Sequence, residues 1–304
     1  MTGIPDPTTS RRALLKGGAA AAAGVAAGAW RWAPREASAH TPPPPDVQPP
    51  AADGWRGLKV GVATYSLRKL PLEQAIRGVQ RVGLRYVSIK DVHVPAAGAS
   101  EARRAGAAQF RAAGITPLST GTFEMRDEAE ARLAFEYARD VGALAVVCNP
   151  RPAVLPALDR LVRQYDIRAA IHNHGPGSVW PSPYDAWEQV ARLDRRVGLC
   201  IDVGHTGRAG VDPAQAIRRC RERLYDVHLK DNDAAGPTSG NAVVGRGVLD
   251  VPAIVRALLD TGYAHHVGFE YELDPDDPLP GLAESVGYLR AVVAGAGAPA
   301  RRAG

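Results

Sequence analysis

From Leu58 onward the chain alternates between two hydrophobic rhythms. Short apolar runs occur at Leu58–Ala63, Arg85–Ile89, Thr116–Ser119, Leu144–Cys148, Arg168–Ile171, Val197–Ile201, Leu224–Leu229 and His266–Phe269. They are rich in Val, Ile and Leu and lack a polar face, which predicts strands buried on both sides. Between them lie longer amphipathic stretches. Leu72, Ala75, Ile76, Val79 and Val82 follow the i, i+3, i+4, i+7 spacing of one helix face. Arg132 to Val141 and Pro252 to Leu259 repeat that pattern. Asp212-Pro213 and Val251-Pro252 place proline at a first helical position, where its missing N–H does no harm.

Eight strands alternating with helices over residues 57–296 predict an α/β fold, a single-domain (β/α)8 TIM barrel. A doubly wound open sheet is the structural competitor. Its usual Gly-x-Gly-x-x-Gly signature does not follow the first strand, and Gly245-Arg246-Gly247 alone is a turn signal.

The first 39 residues read differently. Ser10-Arg11-Arg12-Ala13-Leu14-Leu15-Lys16 is a twin-arginine stretch, followed by an Ala/Gly-rich run and by Ala37-Ser38-Ala39, a small-residue cleavage site. This layout predicts an export signal that engages the twin-arginine machinery, with the mature protein periplasmic or extracellular. An uncleaved anchor is the alternative. Residues 40–56 are Pro-rich and read as an extended tether, and 297–304 as a disordered tail. Removing residues 1–39 takes away five cations and two anions, leaving 32 against 30. No basic run with interleaved aromatics remains, so nucleic acid is not an expected partner. Cys148, Cys200 and Cys220 are far apart and read as buried, free and packing-related.

In such a barrel the C-terminal strand ends meet at one face, where chemistry is built. In chain order those ends offer Tyr65 and Ser66; Lys90, Asp91 and His93; Thr122 and Glu124; Asn149 and Arg151; His172 and His174; Asp202 and His205; His228, Lys230 and Asp231; Glu270 and Glu272. The chain has only five lysines, yet two of them, Lys90 and Lys230, sit at strand ends and precede Asp. A lysine kept where arginine is the default cation suggests a job that needs a change of protonation. Four ends carrying His172, Asp202, His228 and Glu270 predict one divalent metal ion bound by two imidazoles and two carboxylates. That donor set suits Mn, Co, Zn or Fe better than calcium. His172 and His174, His228 and Lys230, and Glu270 and Glu272 are each two apart, so both members of a pair can face inward.

Taken in order, IHNHG (171–175), IDVGH (201–205), VHLKD (227–231), VGRG (244–247) and GFEYE (268–272) resemble the sugar isomerase/epimerase branch of the xylose isomerase-like, endonuclease IV-like TIM-barrel superfamily. The resemblance runs from about Leu58 to Val293. It implies a divalent metal held at the ends of strands five to eight by Glu, Asp, His and Glu. Asp202, His228 and Glu270 match three of these positions. The D-x-x-H histidine, here His205, would contact substrate oxygens. Strand five departs from the pattern, with His172-Asn173-His174 where many relatives have Glu-Asn-His. Epimerases of this kind resemble two-base machines with a carboxylate on each side of the carbon, and His172 breaks that symmetry.

The expectation is therefore a metal-dependent carbohydrate isomerase or lyase that abstracts a proton next to a carbonyl. Glu270, Lys230 and His174 are the candidate acid–base groups. His205, Lys90, His93, Glu124, Arg246 and Glu272 are the candidate substrate contacts, with Arg246 a candidate anion contact. Export and the lack of a cationic phosphate cradle favour an unphosphorylated sugar, keto-sugar or glycoside. Three other readings stay open: a sugar epimerase, a phosphodiesterase of the endonuclease IV kind, and a non-catalytic carbohydrate-binding barrel with Trp180, Tyr184, Trp187 and Tyr271 as stacking faces. The segments 175–183 and 233–242 are expected as loops over the site, and a homo-oligomer is compatible with the sequence.

Overall fold

The computed structural model of the protein describes residues 54–296. The expected export signal, nearly all of the tether and the tail lie outside them. Strands β1 (Lys59–Ala63), β2 (Tyr86–Ile89), β3 (Thr116–Met125), β4 (Ala145–Pro150), β5 (Arg168–His172), β6 (Val197–Asp202), β7 (Leu224–Leu229) and β8 (His266–Phe269) are the eight expected runs. Each pairs in parallel with its sequence neighbours, and β8 returns to pair with β1. The sheet is thus a closed barrel, which excludes the open doubly wound alternative.

The helices are α1 (Leu72–Arg81), α2 (Ser100–Ala112), α3 (Glu128–Val141), α4 (Leu155–Tyr165), α5 (Pro183–Val190), α6 (Val203–Arg208), α7 (Pro213–Cys220), α8 (Val251–Asp260) and α9 (Leu279–Gly295). Pro213 opens α7 as expected, whereas Pro252 is the second residue of α8, after Val251. Asp127, Asp212 and Asp250 cap their helices by accepting from first-turn amides. Among the described residues no helix is long and apolar enough to cross a membrane.

β3 runs six residues past its expected end. Its register with β4 is irregular between Thr120 and Phe123. Gly121 makes this tolerable: it adopts φ +105°, and a Cβ there would lie 2.2 Å from the Val147 carbonyl oxygen. Thr122 and Glu124 therefore lie within β3 and not beyond it.

Most of the core fills the layer between strands and helices, with Phe110, Phe135, Tyr137, Leu158 and Leu161 almost wholly excluded from water. Each such side chain contributes roughly 1.5–3 kcal/mol of burial. α2 and α3 are joined there by an ion pair between Arg103 and Asp140, 2.6 Å apart, with both side chains buried. The barrel interior is different. Val147, Ala170 and Cys200 form a small apolar cluster inside it. Asp226 and His266, 3.1 Å apart, form a separate buried polar pair, with Ser119 3.4 Å from the same ring nitrogen. The three cysteines are buried and unpaired, as expected.

Candidate metal centre

Period-two alternation along β5 to β8 decides what converges at the C-terminal mouth. His172 is the last residue of β5, Asp202 the last of β6, His228 the fifth of β7, and Glu270 follows β8 directly. One ligand atom from each of these four residues lies within 4.8 Å of the others. His172, Asp202 and His228 are at most 1% exposed. His172 Nε2 is 3.4 Å from Asp202 Oδ2, and His228 Nδ1 is 3.2 Å from Glu270 Oε2. These approaches are too poorly aimed to be hydrogen bonds: both ring nitrogens of each histidine and Asp202 Oδ2 are without a hydrogen-bond partner. An unpaired buried polar atom costs about 1–3 kcal/mol. Four such ring nitrogens in one pocket, beside two carboxylates on side chains that suit a divalent cation, fit a metal site of the N2O2 kind.

Lys230, also buried, reaches the same point. Its Nζ is 3.0 Å from Asp202 Oδ2, 2.8 Å from Glu270 Oε2 and 3.7 Å from Glu272 Oε1. At an effective dielectric of about 20, each of the two close contacts is worth roughly 5–6 kcal/mol of gross attraction, against several kcal/mol of desolvation per ion. Burial alone would push the Asp202 and Glu270 carboxyls up, but the Lys230 ammonium beside them holds both well below the usual range. Burial opposes the charge on Lys230, and the surrounding carboxylates keep it protonated. Burial lowers His172, and it lowers His205 to about 3.

An outer ring surrounds this centre. His174 is exposed on the rim, its ring 4.4 Å from that of His205. Arg208 Nη1 lies 3.2 Å from His205 Nδ1, and its Nη2 donates to Asn241 Oδ1 at 2.6 Å. Asn241 in turn donates to Glu272 Oε2 at 2.7 Å. Asn241–Ala242 pairs with Asp231–Asn232 in a short antiparallel ribbon, so the base of the expected 233–242 loop is anchored at the site.

Three polar residues hold the candidate ligands in place. Asn173 turns away from the mouth and clamps β6: its Oδ1 accepts from Asp202 N at 3.0 Å and its Nδ2 donates to Thr206 Oγ1 at 3.1 Å. Ser66, after β1, donates to the Phe269 carbonyl at 3.3 Å and accepts from Tyr271 N at 2.8 Å, bracketing Glu270. Asp231 is fully buried and gathers the VGRG turn. Its Oδ1 accepts from Asn232 N and Leu249 N, its Oδ2 from Gly245 N and Gly247 N. Gly247 must be glycine for this approach, since a Cβ would lie 2.3 Å from Asp231 Oδ1.

Several expected contacts are engaged elsewhere. Arg246 is exposed and paired with Glu284 on α9, at 2.8 Å through Nη2. His93 is buried, with Nε2 3.1 Å from the Leu70 carbonyl, and ties two loops together. Lys90 donates to the Thr122 carbonyl at 2.8 Å, and Glu124 accepts from Asn149 at 2.9 Å, on the β2–β4 side of the mouth. Of the proposed stacking aromatics, Trp180 is buried and donates to the Pro150 carbonyl, and Tyr271 is buried. Tyr184 is covered by the Arg219 guanidinium, 4.6 Å from its ring centre.

A sequence model of the xylose isomerase-like TIM barrel family matches residues 76–292, and the chain belongs to that family. It is 27% identical over 149 residues to rhizopine catabolism protein MocC of Rhizobium meliloti, a stretch covering 44% of this chain and 46% of that protein. The chain thus aligns with about half the length of that relative. Among solved structures, it resembles apo 3-keto-D-glucoside 4-epimerase YcjR of E. coli, with TM-score 0.63 and 16% identity over 77% of this chain and 99% of that one. It also resembles the zinc-bound IOLI protein, with TM-score 0.66 and 17% identity over 78% of this chain and 98% of that one. At these identities the likeness speaks for the fold.

Proposed function

We propose that the protein is a divalent-metal-dependent enzyme that abstracts a proton beside a carbonyl of an unphosphorylated sugar, keto-sugar or glycoside, leading to isomerisation or elimination. The observation that carries this reading is the buried set of His172, Asp202, His228 and Glu270, with its unpartnered donor atoms, beside a charged lysine. A divalent ion held by those four residues would supply Lewis-acid polarisation of the substrate carbonyl. Lys230 would stabilise negative charge on a substrate oxygen, its ammonium being fixed by Asp202, Glu270 and Glu272. His174, free on the rim and stacked on His205, is placed to exchange a proton with a ligand entering the mouth. His205 would contact substrate oxygens, its lowered proton affinity keeping it neutral at pH 7.

Two observations favour an unphosphorylated substrate. Arg246 is committed to Glu284, and the structural likeness includes a protein named for a 3-keto-D-glucoside. His172 at the end of β5 supports isomerisation or elimination over two-carboxylate epimerisation. The binding-barrel alternative loses support because Trp180 and Tyr271 are buried, the Arg219 guanidinium covers Tyr184, and Trp187 is half-buried against the core. Export by the twin-arginine route, in which folded proteins cross the membrane, would deliver the barrel with its metal already in place.

The test begins with elemental mass spectrometry on the mature protein and on His228→Ala. About one divalent ion per chain, depleted in the variant, is expected. The loaded protein should then move solvent deuterium into the carbon beside the carbonyl of a 3-keto-glucoside or a ketose. Full exchange after chelation, or no metal after reconstitution, would overturn the proposal.

A further inference from the structure

Cys200 lies on the same inward face of β6 as Asp202, two residues earlier and deeper in the barrel. Its register partner on β5 is His172, and the irregularity between Leu199 and Cys200 sets it opposite Asp226 of β7, two residues before His228. The thiol therefore approaches from beneath the same two imidazoles that Asp202 and Glu270 approach from the mouth. One ligand atom each from His172, Cys200 and His228 lies within 4.8 Å of the others, and all three residues are at most 1% exposed. Tetrahedral bonds of roughly 2.0 Å to nitrogen and 2.3 Å to sulfur place ligand atoms about 3.3–3.5 Å apart, so side-chain closure of at most about 1.5 Å brings the three atoms onto one ion. No ring nitrogen of either histidine has a hydrogen-bond partner to lose.

We propose that His172, Cys200 and His228 form a second, deeper metal position that accepts a thiophilic divalent ion such as zinc, cobalt or cadmium. It rests on the reading of the two histidines as metal ligands and is independent of Asp202 and Glu270. Each neutral imidazole gives one nitrogen to one ion, so the deep and the mouth positions are alternatives for a single ion. Their chemistry differs. The mouth set offers two carboxylates and suits a hard ion such as manganese. The deep set offers one thiolate and suits a soft one. Binding there expels the thiol proton to solvent as the sulfur–metal bond forms. An ion in the deep position is bound below Lys230 and the rim histidines, so soft ions are expected to occupy the protein without supporting chemistry at the mouth.

Cobalt distinguishes the two positions directly, because only a thiolate ligand gives an intense sulfur-to-cobalt charge-transfer band in the near ultraviolet. The metal-free protein is titrated with cobalt chloride while bound cobalt is counted by elemental analysis. The wild type is expected to show the band. Cys200→Ala should lose it yet still bind about one cobalt through the mouth set. Asp202→Asn, Cys148→Ala and Cys220→Ala should keep it. Thermal melts confirm that each variant is folded, and Cys200→Ser replaces Cys200→Ala if the smaller residue unfolds the barrel. One bound cobalt without the band overturns the deep position and leaves the proposed function standing, as does a band that survives in Cys200→Ala. No cobalt bound by any folded form overturns both.

Discussion

Asp231→Asn isolates the contribution of a single oxygen. The Asp231 side chain is fully buried and its two oxygens accept from four backbone amides, at 2.9 and 3.1 Å on Oδ1 and 3.0 and 3.1 Å on Oδ2. An asparagine of the same shape keeps one acceptor and turns a second donor towards the other two amides. Hydrogen bonds to a charged group are worth about 1.5–3 kcal/mol each, and the side chain will settle with its amide on the less costly side. Taking the lower part of that range for two lost bonds gives about 3–4 kcal/mol. The close approach of Gly247 leaves the loop no room to relax inward, which argues against a smaller loss. For a domain of about 250 residues this corresponds to a fall in Tm of roughly 6–16 °C. Urea unfolding followed by circular dichroism should show the midpoint reduced with an unchanged slope. A loss below about 1 kcal/mol would refute the claim that this carboxylate holds the 244–249 turn.

Burial pushes the Asp140 carboxyl up, but hydrogen bonds from Ser100, Arg103 and Arg139 outweigh it and hold its pKa below the ordinary value. Its stabilisation is therefore complete above the unfolded-state value of about 4 and is lost as pH falls through the lower folded value. The stability gap between wild type and Asp140→Asn should be constant from pH 7 to about 5 and close in stronger acid, and a gap unchanged at pH 3 would contradict this. Lys230→Met removes the cation between Asp202 and Glu270, with an expected loss of about 3–5 kcal/mol in metal-free protein. Saturating manganese should raise its Tm more than that of the wild type, and equal gains would count against a shared position for ammonium and metal. Arg208→Ala severs the links to His205, Gly240 and Asn241. Faster hydrogen–deuterium exchange at 240–242 is expected, with little change in global stability; unchanged exchange there would remove the proposed anchor of this loop.

The eight strands were legible because each is a short apolar run with no solvated face; three of them end in a ligand-type residue or directly precede one, and β7 carries His228 one place before its end. That same rule misled at β3: a strand interrupted by Gly121 looks finished at Ser119, and only the close approach to the Val147 carbonyl shows why the glycine is there. The pairing of Arg246 with Glu284 was not legible, because Glu284 lies 38 residues away and its approach depends on how α9 packs. Arg208 was missed although it lies one helical turn after His205: α6 has only six residues and no apolar stripe to announce it. Cys200 read as simple packing, since the sequence shows its apolar neighbours and not the histidine beside it on the next strand.

The bridge made by Ser66 has a consequence for when this protein becomes competent. Its hydroxyl spans 203 and 205 residues of chain to grip the two backbone groups on either side of Glu270. The last candidate ligand is thus set by a residue just after the first strand, and it is set only when the first and last strands meet. A growing chain can bring His172, Asp202 and His228 together before the barrel is sealed, but Glu270, the fourth candidate ligand, arrives with the seam itself. Full-strength binding of an ion by these four residues would therefore report that the fold is finished, so that capture of the ion and closure of the β1–β8 seam are one event.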